Sequence, residues 1–114
     1  MNQTEYELFL FDEEGSYLFD DPAEGLEIKD VDFVPRIGEI LDHWFPNEER
    51  DPAFREKVKG VFQVFAVRHP ISTIDGEGEH LTSYQYRPFS PNVYAKRISP
   101  DFETFLDSTL RFGE

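Results

Sequence analysis

Val61-Phe62-Gln63-Val64-Phe65-Ala66-Val67 narrows the fold more than any other segment. Its apolar residues fall on both sides of an extended chain, the pattern of an interior strand rather than of a half-buried one. Such a strand needs neighbours on both edges and cover on both faces. The remaining short apolar segments must supply them, so the chain is expected to be built around a sheet.

Those segments can be read in order. Tyr6-Glu7-Leu8-Phe9-Leu10-Phe11 is a strand, with Leu8 and Leu10 on one face and Phe9 and Phe11 on the other. Asp12-Glu13-Glu14-Gly15-Ser16 makes a hairpin loop in which Gly15 supplies a positive φ. Tyr17-Leu18-Phe19 is expected to return as the second strand, and the breaker-rich Asp20–Gly25 turns the chain again. Leu26-Glu27-Ile28-Lys29 alternates and starts a third strand, and Pro35 interrupts the chain after Val31-Asp32-Phe33-Val34. Ile40–Phe45 fits strand or helix equally well. Asp51 followed by Pro52 reads as the cap and first position of a short helix stopped by Gly60. Asp75–Glu79 is a loop leading to a strand at Leu81–Arg87, with Tyr84 and Tyr86 on one face, and Val93–Ile98 is the last strand. Ser99-Pro100-Asp101 then opens a helix with a cap, a first-position proline and an acid at the positive dipole end. Its stripe of Phe102, Phe105, Leu106, Thr109 and Leu110 is expected to dock on the sheet, and Gly113 ends it. The expected fold is α+β in one domain over residues 1–114: a mainly antiparallel sheet of five or six strands, or a partly closed small barrel, with a C-terminal amphipathic helix packed on it.

At 114 residues, a domain of this kind buries roughly two thirds of its unfolded surface, enough for one core. The absence of Cys removes disulfides, zinc–thiolate sites, iron–sulfur clusters and thiol nucleophiles together. No apolar run approaches the roughly 20 residues that span a bilayer. The opening Met1–Glu5 has no cationic or apolar segment of a signal peptide, so a cytoplasmic protein that makes no membrane contact is expected.

Charge is the strongest functional signal. The chain carries 24 acids and 11 bases, a net charge of -13. Residues 1–56 hold 17 acids and 4 bases, whereas residues 57–114 hold 7 of each, so the whole imbalance lies in the first half. Because both halves share one core, this asymmetry is expected to become an anionic face. Such a face repels DNA, RNA and anionic lipid and attracts basic proteins. The plainer alternative is a surface that serves solubility alone, in a structural subunit.

Catalytic motifs are scarce. Asp12-Glu13-Glu14, Asp20-Asp21 and Asp30-Val31-Asp32 offer hard oxygen ligands of the kind calcium or magnesium takes, which leaves a small metal-binding module or metal-dependent hydrolase as an alternative. None has the spacing of an EF-hand loop. His43, His69 and His80 show no paired ligand spacing, although a hairpin could bring His69 and His80 together. Ser72, Ser83 and Ser90 sit in no nucleophile elbow, and Gly76-Glu77-Gly78 is too short and too acidic to cradle phosphate. Arg87, Lys96 and Arg97 are too few to bind nucleic acid directly against the field of the first half. No catalytic residue, cofactor or metal ligand is therefore assigned.

The 18 aromatic residues exceed what a small core absorbs, so some should reach the surface, where Tyr and Trp anchor protein interfaces. The expected docking surface combines Asp12, Glu13, Glu14, Asp20, Asp21, Glu24, Glu27, Asp30 and Asp32 for steering with Tyr17 and Trp44 as anchors. The tail Val93-Tyr94-Ala95-Lys96-Arg97-Ile98-Ser99-Pro100-Asp101-Phe102-Glu103-Thr104-Phe105-Leu106 resembles the end of SUKH-superfamily immunity proteins, where a last strand leads into a helix of the type Ser-Phe-x-x-Phe-Leu. That resemblance implies an intracellular inhibitor of a toxin, often a nuclease. Charge and resemblance converge on a non-enzymatic inhibitor (an immunity protein, antitoxin or phage-type inhibitor) that covers the cationic site of a basic partner such as a nuclease or other nucleic-acid enzyme.

Overall fold

The computed structural model describes residues 4–21, 25–45, 51–75, 84–88 and 90–110. Five strands form the main sheet in the order β2-β1-β7-β4-β3 and curl into a half-barrel. They are β1 (Thr4–Phe11), β2 (Leu26–Val31), β3 (Ile40–His43), β4 (Gly60–Arg68) and β7 (Asn92–Ser99). A further pair, β5 (Ile71–Asp75) and β6 (Tyr84–Pro88), forms its own two-stranded ladder. Two short helices, α1 (Pro52–Lys57) and α2 (Phe102–Leu110), complete the described elements.

The α+β class and the C-terminal helix agree with expectation, but the sheet is mixed rather than antiparallel. β1 and β7 run parallel, from Glu7 opposite Asn92 to Phe11 opposite Lys96. Short turns between neighbouring segments favour antiparallel hairpins, whereas this pairing joins the two ends of the chain across all the intervening elements. The core follows from that register. Leu8 faces Val93 and Leu10 faces Ala95, and Val64 on β4 pairs with Ala95 from the other side. These residues, with Phe62 and Val58, are almost fully buried. On the opposite face Phe9 stacks on its register partner Tyr94 with ring centroids 5.0 Å apart.

β4 lies inside the sheet, as expected, yet its outer face is incompletely covered. Phe65 stands 51% exposed where a bulge between Val64 and Ala66 shifts the register. The expected strand at Tyr17–Phe19 is only a single bridge from Phe11 to Tyr17 plus one hydrogen bond from the Leu18 amide to the Leu10 carbonyl. The loop before it forms as expected. The Asp12 carboxylate accepts from the Glu14 and Ser16 amides at 3.0 and 2.8 Å, and Gly15 takes φ +88°.

β4 pairs with β7, and β5, which the sequence pattern does not announce, pairs with β6 in nearly the same register. The two ladders therefore follow one long hairpin. It is interrupted around Pro70 and Pro91, whose missing amides cannot extend a ladder. Asp75, expected to open the loop, instead ends β5 opposite Tyr84, while the rest of that loop at 76–79, His80 and the helix end at Gly113 lie outside the described residues.

Both helices start on aspartates. Asp51 caps α1 through the Ala53 amide, with Pro52 in the first turn, as expected. For α2 the cap is Asp101, whose carboxylate accepts from the Thr104 amide at 2.7 Å, and not Ser99 with Pro100 at the first position. Ser99 is buried and its hydroxyl donates to the Asp101 carbonyl instead. The stripe of α2 packs thinly: Phe105 and Leu106 are half-buried, while Phe102 is 42% exposed.

Arg97 on β7 organises one end of the sheet. Its guanidinium lies 5.2 Å over the Phe62 ring. Its Nε donates to the Lys59 carbonyl at 3.1 Å, one Nη donates to the Lys57 carbonyl, and the other to Glu13 Oε1 at 3.1 Å. Gly60 makes room for it: φ is +145°, and a Cβ there would stand 2.9 Å from Arg97 Nε. Gly60→Ala therefore meets both backbone strain and a packed side chain, whereas Gly15→Ala, at φ +88° with nothing within 4 Å, meets strain alone. Urea melts should show Gly15→Ala costing about 1 kcal/mol and Gly60→Ala about 2–3 kcal/mol. Equal losses would contradict the close approach at Gly60.

Candidate functional site

The sheet register sorts the expected docking residues by position. The C-terminal ends of β1, β3 and β7 and the first residues of β4 lie together, because Phe11 is opposite Lys96, Val61 opposite Ser99 and His43 opposite Gly60. Asp12, Glu13 and Glu14 leave β1 at this end. Asp20 is there too, since its carboxylate lies 4.0 Å from Lys57 Nζ at the end of α1. Trp44 follows β3 at the same end and is 55% exposed.

Other expected residues do not join them. Glu27 sits mid-strand on edge strand β2, opposite Glu7, and pairs with Lys29 at 3.7 Å. Asp30 and Asp32 lie at the far end of β1, where Val31 is opposite Thr4, about 24 Å away along the strand from Phe11. Asp30 has a backbone role there. Its φ of +59° belongs to a bulge in the β1–β2 ladder, and Asp tolerates the left-handed region better than most residues. Glu24 lies outside the described residues.

Two residues have structural duties that a freely steering or anchoring side chain would lack. Glu13 is tied to Arg97. Tyr17 is half-buried in a path of ring contacts, 5.1 Å from Phe11 and 5.2 Å from Phe19. That path continues from Phe19 to Phe54, Phe45 and His43 at 5.8, 5.8 and 5.4 Å. It links the first hairpin loop to α1 and the end of β3, and it absorbs much of the aromatic excess.

Beside Trp44 the strand ends enclose a groove of about 380 Å³. Trp44 and Phe102 supply aromatic walls, Asp42, Asp101 and Glu103 supply carboxylates, and Lys59 supplies one ammonium. His43 also lines it, its ring held by a hydrogen bond of 2.6 Å between Nδ1 and the Val58 carbonyl. A carbonyl can only accept, so Nδ1 carries the proton and Nε2 is left as an acceptor. Burial lowers the His43 pKa, outweighing the opposing effects of the Val58 carbonyl and the Asp42 charge. The Asp101 pKa is also lowered, chiefly by the Thr104 backbone hydrogen bond, with Lys59 adding to the effect. A second hollow, of about 370 Å³, shares Lys59, Pro100 and Asp101 with the groove and reaches Glu13, Glu56 and Arg97.

Sequence reasoning missed Asp42, Asp101 and Glu103 as members of a site. Asp42 is far in the chain from Asp101 and Glu103, and Asp101 reads as an ordinary helix-start acid. The only local hint was Asp42 two residues from the single Trp. Among the described residues, no three His, Asp or Glu side chains are placed to hold a metal ion together. Also among the described residues, no helix is long and apolar enough to cross a membrane.

No protein-family model matches the chain, no curated protein matches it, and no solved structure matches its fold.

The lowered His43 pKa carries a sign. Between the folded value and the unfolded value near 6.5 the unfolded chain binds more protons. The stabilising contribution of neutral His43 is therefore complete above pH 6.5 and is lost as pH falls through the lower folded value. Denaturant midpoints measured from pH 7 down to pH 5 should fall more for the wild type than for His43→Gln. Parallel profiles would contradict a buried, neutral His43.

Proposed function

We propose that this chain is a non-enzymatic acidic binding protein that docks its strand-end face on a basic protein partner. A nuclease or another nucleic-acid enzyme fits the charge best, because its cationic substrate site is what an anionic surface covers. The role is that of an inhibitor of the immunity-protein, antitoxin or phage type. The carrying observation is that exposed Trp44 stands at the same sheet end as Asp12, Glu14 and Asp20 and beside Asp42, Asp101 and Glu103. Long-range attraction and a burial-ready aromatic anchor are thereby placed together, which is the division of labour of charged rims and aromatic hot spots.

The face differs from the one expected of the opening third of the sequence. Asp30, Asp32 and Glu27 fall away from it, and acids from residues 42 to 103 replace them. The partner should be identified by affinity capture from the native cell at low and high salt, followed by mass spectrometry. Binding to the captured protein should weaken steeply as salt rises. The triple variant Glu14→Gln, Asp20→Asn, Asp21→Asn should weaken it about tenfold, whereas Asp30→Asn with Asp32→Asn should change it less than about twofold. A salt-independent complex, or equal losses from both variants, would contradict this assignment.

A further inference from the structure

Resting on that docking reading, we propose that the groove beside Trp44 seats an arginine side chain of the basic partner. Its chemistry suits a planar cation. Among the described residues that line it, three carboxylates, from Asp42, Asp101 and Glu103, face one lysine, Lys59, which leaves this lining anionic at neutral pH. Two aromatic residues, Trp44 and Phe102, stand 55% and 42% exposed on its walls. His43, held on the Val58 carbonyl and packed against Phe45 and Phe62, also lines it. A guanidinium has five donors, no acceptor and weakly hydrated faces that stack on aromatic rings. It therefore uses both the carboxylates and the rings, whereas an ammonium is a compact, strongly hydrated charge that gains less from the walls. The volume of about 380 Å³ falls in the range that holds a small ligand.

The protein itself seats one guanidinium in this way, beside the neighbouring hollow. Arg97 lies over the Phe62 ring, with Glu13 and the Lys57 and Lys59 carbonyls taking its donors. The groove on the other side of Lys59 offers the same components, a ring and surrounding oxygens, with no arginine among the described residues that line it.

Lys59 gives the proposal a distinctive consequence. Its ammonium acts on Asp101 and lines the groove, so it opposes an incoming cation. The Lys59 carbonyl, which holds Arg97, is backbone and survives a side-chain change. Lys59→Gln should therefore tighten arginine binding while leaving the fold intact.

Trp44 is the single Trp of the chain, so its fluorescence reports the groove directly. The full chain would be titrated with N-acetyl-arginine-methylamide, with the uncharged citrulline analogue and with the lysine analogue. The arginine probe should give a saturable emission change, the lysine probe a weaker one and the citrulline probe none. Glu103→Gln and Asp42→Asn should each weaken the arginine probe about fivefold, and Lys59→Gln should strengthen it severalfold. Equal responses to arginine and citrulline, or indifference to all three substitutions, would overturn the proposal. The captured partner separates this result from the broader reading. If Glu103→Gln and Asp42→Asn bind the partner normally while the Glu14, Asp20 and Asp21 triple variant fails, the docking face stands and the arginine seat falls. If every variant binds the partner normally, both fall.

Discussion

Arg97 fixes the end of the molecule on which the functional reading depends. Three consecutive carbonyls leave the turn between α1 and β4. Those of Lys57 and Lys59 take donors from Arg97, and that of Val58 meets His43. The turn is thereby pinned to β7 on one side and β3 on the other. Through Glu13 the same guanidinium also reaches the first hairpin loop. Its side chain is only 14% exposed, although its partners Glu13, Lys57 and Lys59 reach solvent. Gly60 is the backbone counterpart of this arrangement, since a side chain there would meet both Arg97 and the Ser99 carbonyl. The groove lies beside this cluster, and its position depends on the pinned turn.

Charge and aromatic content thus have different fates in the folded chain. Much of the aromatic excess forms a connected path of rings from the first loop through α1 to His43, which stabilises the strand ends. Trp44 and Phe102 are left outside that path. The acids divide as well. Asp12 closes a loop, Asp51 and Asp101 cap helices, Asp30 sits in a bulge and Glu13 anchors Arg97. These carboxylates keep their charge and contribute to the anionic field, while the fold fixes where they point.

Much of the local structure was legible in the sequence. Alternation located β1, a run apolar on both faces located β4, Val93–Ile98 reads as the last strand, and the Asp51-Pro52 pair located α1. Gly15 marked the loop that closes on Asp12. What periodicity cannot encode is which strands pair. The parallel contact of β1 with β7 joins segments more than eighty residues apart, and nothing in either segment names the other. That pairing, with those of β3 and β7 to β4, assembles Asp42–Trp44, Lys59 and Pro100–Glu103 into one groove. The site was therefore visible only as separate pieces: a Trp next to an acidic strand end, and an acid-capped helix. Tyr17–Phe19 failed as a strand for a related reason, because ring contacts to Phe11 and the α1 side satisfy the segment without a full ladder.

Amide hydrogen exchange on the full chain, alone and bound to its captured basic partner, tests the central claim most directly. Docking through the strand-end face predicts new protection at residues 42–44 and 99–104, with residues 28–33 at the far end of β1 unchanged. Protection confined to residues 28–33, with the Trp44 groove exchanging as in the free chain, would contradict the account.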